Sequence, residues 1–230
     1  MNKGETHMLG KVAVVVLAAV FGWMLMGLRG LLIAGAAAAV GVFFFARDAT
    51  PVVVEEPPFS RFLFENTGSA PLWLALRILV GYEWLEAGFH KLENPAWHSG
   101  EAILGFWTRA ASIPAEGRPL VSFDWWRTYL QFMIDAEWHT WFGPLIMYSE
   151  ILIGVALIIG LFTGIAAFGG GFMNWSFMMS GSASSNPMLF AFSVLLVLAW
   201  RVAGWYGLDR FLLPILGTPW RLGRAFHPET

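Results

Sequence analysis

Residues 72–92 read LWLALRILVGYEWLEAGFHKL, a stretch long enough to cross a bilayer that nevertheless carries Arg77, Glu83, Glu86, His90 and Lys91. Near a bilayer centre each such charge costs about 2.5–3.5 kcal/mol on insertion scales. Side chains that withstand this cost face a bundle interior, pair with one another, or line a polar path. The stretch therefore reads as one helix of a membrane bundle, and its charges are the first place to look for function.

The rest of the composition agrees with that reading. Of 230 residues, 57% are hydrophobic and 13% charged, about half the charged share of a soluble domain. Thirteen tryptophans and twenty phenylalanines suit aromatic belts at two membrane interfaces. A net charge of −2 carries no sign of nucleic-acid binding. The absence of cysteine removes disulfides, thiolate metal sites, cysteine-held iron–sulfur clusters and any thiol or persulfide intermediate on this chain. Of the five histidines, His90 alone falls inside the expected bundle, and no HxxxH or HExxH spacing occurs. Neither haem nor a metal is expected.

Outward from residues 72–92, the chain divides by hydropathy. Residues 12–28 and 31–46 are apolar runs separated by Arg29 and Gly30, each roughly 25 Å long as helix, and together they predict a tight N-terminal hairpin. The uninterrupted length argues against a cleaved signal peptide. Residues 47–70 hold three prolines and six charges and read as a linker. Residues 93–143 are rich in tryptophan but scattered with charge, so they cannot span. Helical periodicity at 102–111 and 125–138 predicts helices lying at the outer interface. Residues 144–162, 163–180 and 187–206 complete about six spans. Arg210, Arg221 and Arg224 near the C-terminus, with Lys3 and Lys11 at the other end, place both termini on the cytoplasmic side. The domain plan is then a hairpin at 1–46, a linker at 47–70, a four-helix core at 71–213 including the outer segment 93–143, and a cytoplasmic tail at 214–230.

On a helix, Glu83, Glu86 and His90 fall within about 60° of arc, and Arg77 and Lys91 within about 40° on a neighbouring face. A carboxylate–imidazole stripe beside a basic stripe can bind an anion or a quinone head group, or pass protons. The bland alternative is packing by ion pairs, with His90 and Lys91 snorkelling to the interface. Arg77, Glu83 and Glu86 lie deeper. Glu150, in the next core span, needs a cation or a donor, and Arg77, His90 and Lys91 are its candidate partners. Gly164, Gly169, Gly170 and Gly171 make one side of the following span small, which suits close helix approach. Asn174 and Trp175 on that span could donate hydrogen bonds to a carbonyl. Arg201 reads as a snorkel to the cytoplasmic interface or a cap on carbonyl groups.

Four pieces in order, AGFHKLENPAW (87–97), YSEILIGVALIIGLFTGIAA (148–167), SSNP (184–187) and AGWYGLDRFL (203–212), resemble the DoxX/DoxD family of small membrane proteins. The resemblance implies an all-α fold with a four-helix membrane core, to which the N-terminal hairpin is an addition. Through the DoxD-type subunits of thiosulfate:quinone oxidoreductase it also implies a quinone-linked redox subunit of the inner membrane, working with partner subunits in the lipid bilayer. Under that implication Arg77, His90 and Lys91 face an anion or quinone, and Glu83, Glu86 and Glu150 accept protons; Asn174, read above as a donor to a carbonyl, is the further cofactor-binding candidate. The competing reading is a non-catalytic accessory subunit of a respiratory or photosynthetic complex, with the hairpin, the tryptophan-rich segment and the glycine-faced helix used for packing.

Overall fold

The computed structural model describes residues 3–44 and 55–217, and every regular element among them is helical. Residues 45–54 of the expected linker and residues 218–230, with Arg221 and Arg224, lie outside the described residues. The chain divides near residue 55 into two units.

The first unit is a helical hairpin, α1 (Lys3–Met26) and α2 (Leu28–Phe44). Its turn is narrower than the sequence suggests. Gly27 alone makes it, at φ 61°, the left-handed region that glycine enters without steric cost. Arg29 and Gly30 belong to α2 instead. Gly30 is needed there for packing, because a Cβ on it would strike the Gly22 carbonyl of α1, and the converse holds. Backbones brought together by small residues are how helices associate where lipid supplies no hydrophobic drive.

In the second unit, α3 (Pro58–Glu65) leads through a short 3-10 turn (Thr67–Ser69) into α4 (Ala70–Leu92). Trp73 Nε1 donates to Leu63 O at 2.8 Å, tying the lead-in to the first turns of α4. α4 packs along α8 (His139–Ile159), and α9 (Thr163–Met179) along α10 (Asn186–Leu198), so these four long helices form a bundle. Its core holds Trp73, Val80, Trp84, Leu157, Ala167 and Leu196. The closest approach is between α4 and α8. A Cβ on Gly154 would come within 2.8 Å of Gly81 O, and one on Gly88 within 2.6 Å of the Ile151 side chain. The glycines singled out from sequence lie on α9 and are used too: Gly170 faces the Trp84 indole and Gly171 faces Ser193.

Two expectations change here. The span foreseen at 187–206 stops as a regular helix at Leu198, and a single turn, α11 (Trp200–Ala203), follows. Beyond it the chain folds under the bundle, where Asp209, at the start of α12 (Asp209–Leu216), accepts hydrogen bonds from Phe162 N (2.6 Å) and Thr163 N (2.9 Å). A carboxylate thereby caps the N-terminus of α9, where free N–H groups and the helix dipole favour it.

The tryptophan-rich segment forms the expected helices, and they pack into a core of their own. Its helices α5 (Pro95–His98), α6 (Glu101–Ala111) and α7 (Asp124–Asp135) build a second core of Ile103, Trp107, Val121, Trp126, Leu130 and Met133 against α8 and the end of α9. Trp126 Nε1 donates to Ser180 Oγ at 2.9 Å, fastening this cap to the bundle. The helix foreseen to run to residue 138 ends at Asp135, because Glu137 turns the chain with φ 55°.

Large apolar side chains such as Leu79, Phe89, Leu152, Ile165, Phe168 and Leu198 point outward from the bundle. Such a surface belongs against lipid rather than water. Within α1 the stretch Met8–Met26, and the whole of α8, are long and apolar enough to cross a membrane, and Leu28–Phe43 and α10 are apolar but shorter.

Candidate functional site

The α4 stripe that faces the bundle follows helical spacing: Arg77, Gly81, Trp84, Gly88 and Lys91. The basic stripe is therefore the buried one. Glu83 is half-buried, and Glu86 and His90 are exposed, so within the bundle Lys91 is the better-enclosed residue and Glu86 the less enclosed one. The reason is steric. Gly81 and Gly88 admit α8, and the helix rotates to place them, with whatever shares their face, in the seam.

At the cap end of that seam, Lys91 Nζ lies 2.7 Å from Glu150 Oε2. The Glu150 side chain is 1% exposed and that of Lys91 18%. The ammonium also sits 5.0 Å from the centroid of the Trp97 ring, a cation–π distance. Of the three cations proposed from sequence, then, Lys91 is the partner of Glu150. Outside the seam, Glu86 and His90 approach one another at 3.8 Å one helical turn apart.

Beside the ion pair opens a cavity of about 520 Å³. Glu83, Trp84, Lys91, Glu150, Asn174 and the 182–186 loop contribute to its lining, and Glu86 and His90 reach its edge. Asn174 is 1% exposed, and neither its amide oxygen nor its amide nitrogen has a hydrogen-bond partner in the protein. Trp84 Nε1 is likewise buried and without a partner. An unmet buried polar group costs about 1–3 kcal/mol, and here an indole donor and a whole carboxamide both lie unmet along the lining of one cavity. Gly170 takes part by absence: a Cβ there would come within 2.8 Å of Trp84 Nε1. Ser184 in the lining loop holds a left-handed φ of 40°, a conformation that costs a non-glycine residue about 1–3 kcal/mol and is concentrated at functional sites.

Arg77 does not join this group. It lies fourteen residues before Lys91, about 21 Å away along the α4 axis. There its Nη2 donates to Tyr206 O at 2.9 Å, and its guanidinium presses on Gly160 and Gly207, where a Cβ would collide with it. Arg77, one of the three candidate partners of Glu150, is thus not the one used, and there are two separate arrangements. Lys91 serves Glu150 at the cap end, and Arg77 holds the 204–209 turn at the opposite end. Arg201 Nη1 donates to Glu65 Oε1 at 2.6 Å, and both side chains remain partly exposed.

Six of the seven residues named from sequence therefore meet at one cavity: Glu83, Glu86, His90, Lys91, Glu150 and Asn174. Sequence reasoning missed Trp84 and the serines of the 182–186 loop. Trp84 was legible in principle, being seven residues before Lys91 and four before Gly88 on the same helical face. The SSNP motif enters the sequence reading only as a piece of the family resemblance, with no site role attached.

Chemically, the cavity offers neutral donors (Asn174, Trp84), a neutral acceptor (Asn174), a cation and carboxylates. That set suits an uncharged ring bearing carbonyl oxygens, or a small anion, and gives protons a place to be held. A match to the DoxX family model covers residues 72–180. No curated protein and no solved structure matches the chain.

Proposed function

We propose, for a chain whose residues 72–180 form a DoxX domain, that this membrane protein binds a quinone head group in the Asn174 cavity as a subunit of a quinone-linked redox system, with thiosulfate oxidation as its candidate reaction. The observation that carries the reading is Asn174, fully buried with both ends of its amide unmet on the wall of a polar cavity. Asn174 Nδ2 and Trp84 Nε1 are the donors for quinone oxygens, and Lys91 sets a positive field beside them. Glu150, held against Lys91, and Glu83 on the same lining hold protons, and Glu86 with His90 at the edge exchange them with water. A quinone supplies the electron- and proton-accepting chemistry when bound. The electrons come from a partner subunit, since a chain without cysteine cannot form a persulfide. The protein crosses the inner membrane about six times with both termini cytoplasmic, which puts the cavity and its cap near the outer leaflet.

The test is quinone binding to the purified protein, read by quenching of tryptophan fluorescence and by solvent extraction of co-purified quinone. Asn174→Leu removes both amide partners at near-constant volume and is expected to weaken binding about ten-fold or more. Wild-type affinity in a folded Asn174→Leu protein would remove the quinone reading. It would leave the accessory-subunit reading, in which the cavity is filled by a neighbouring chain.

A further inference from the structure

A second cavity, of about 390 Å³, lies between the cap helices α6 and α7 and the outer halves of α8 and α9. Its character is opposite to that of the first. Trp107, Trp125, Trp126, Tyr129, Leu130 and Met133 line it, and its polar groups are few: Ser176 Oγ donates to Phe172 O, Ser180 Oγ donates to Ser176 O while accepting from Trp126, and Ser149 and Tyr129 add a hydroxyl each. Water needs two to four polar partners to remain in such a space, and nearly all of this wall is aromatic or aliphatic.

Two observations say what does fill it. Phe106 and Phe177 line both cavities and meet edge to face, with ring centroids 5.9 Å apart, so one aromatic pair is the partition between the polar and the apolar chamber. On its other side the apolar chamber is rimmed by Leu145 and Phe172, 48% and 57% exposed on the flanks of α8 and α9 that face lipid. A polar chamber, an aromatic partition, an apolar chamber and a rim on the lipid side lie in sequence.

We infer that the two chambers take one amphiphile from the bilayer, its ring in the Asn174 cavity and its isoprenoid chain past Phe106 and Phe177 into the aromatic cavity. The inference rests on the quinone reading above and adds that the tail is recognised by the cap. Ser176, Phe106 and Phe177 are then determinants of tail specificity. The cap, which the bundle does not need for spanning, becomes part of the binding site.

The experiment compares two probes on the purified full-length protein: a dimethoxy-methyl-benzoquinone without a side chain, and the same ring carrying a decyl chain. Dissociation constants are read by tryptophan quenching. The decyl compound is expected to bind at least about ten-fold more tightly, since burying even a few methylenes suffices for that. Ser176→Phe fills the apolar chamber and is expected to cancel the advantage while leaving the tail-less probe unchanged. Leu145→Trp narrows the lipid-side rim and is expected to act in the same sense, which guards against a folding defect in the first variant. Equal affinities for the two probes in the wild type overturn the tail assignment and leave the quinone head reading standing. Binding of neither probe overturns both. Retention of a phospholipid that the decyl compound fails to displace, lost in Ser176→Phe, assigns the chamber to an acyl chain instead and overturns the inference.

Discussion

Lys91 and Glu150 show why a buried ion pair is ambiguous evidence when it stands alone. Glu150 is 1% exposed and its partner is in the last turn of α4, so removing the lysine strands a carboxylate in the seam. Such a deletion typically costs about 3–5 kcal/mol, whereas replacing both partners by apolar groups is often neutral or stabilising. Lys91→Met is therefore expected to lower the melting temperature of the detergent-solubilised protein clearly, and Lys91→Met/Glu150→Leu to restore it. If the pair were only a lock, the double variant would also keep quinone affinity. The reading given above requires that it lose affinity while remaining folded. A double variant that melts and binds as wild type does would refute the functional role. The same residues show how far sequence reasoning reached. That Glu150 needs a cation follows from its place in an apolar run; which cation is a question of rotation about α4, set by glycines whose importance shows only when α8 lies against them.

At the scale of elements, the α4–α8 seam and the faces of α9 make different demands. Gly154 meets the α4 backbone, which cannot move aside, while Gly169 would meet nothing closer than the end of the Ile153 side chain, 3.7 Å from an added Cβ. Gly154→Leu is expected to destabilise by at least about 1–3 kcal/mol, as overpacking does. Gly169→Leu should be near neutral. Thermal melts followed by helical circular dichroism compare the two, and equal losses would mean that the seam is not the closest joint of the bundle. The glycine run GGG at 169–171 drew attention because it is contiguous, yet the joint that matters most is made by isolated glycines on two different helices. Spacing along one helix does not reveal a partner's backbone. Boundaries behave similarly. α4 falls within two residues of the stretch read from hydropathy at its start and at the same residue at its end, whereas α10 stops at Leu198, short of the expected residue 206.

For the whole molecule, the decisive quantity is the number of crossings. Two helices are long and apolar enough on length and composition, and the remaining spans in the six-crossing arrangement are either charged like α4 or short like α9 and α10. Those helices fit a bilayer only as members of the bundle, where α4 hides its basic face in the seam. Because the chain has no cysteine, single introduced cysteines report topology without background. Ser112→Cys, exposed after α6, is expected to react with a membrane-impermeant maleimide in intact cells, and Thr67→Cys only after the membrane is opened. Labelling of both from outside would exclude the six-span orientation.

The sequence by itself determined that this is an all-helical membrane protein, that residues 72–92 form a charged helix within it, and that Glu150 and Asn174 are polar groups in apolar helices requiring partners. These conclusions follow from composition and from periodicity along single elements, which are local properties. Only the tertiary structure decided that Lys91, not Arg77, answers Glu150, that Asn174 is left unmet beside Trp84, and that the tryptophan-rich segment closes over the bundle with a cavity of its own. Each of those depends on how far one helix is turned about its axis and which backbone it touches. Rotation and register are set by the fit of two surfaces, and no single helix encodes them alone.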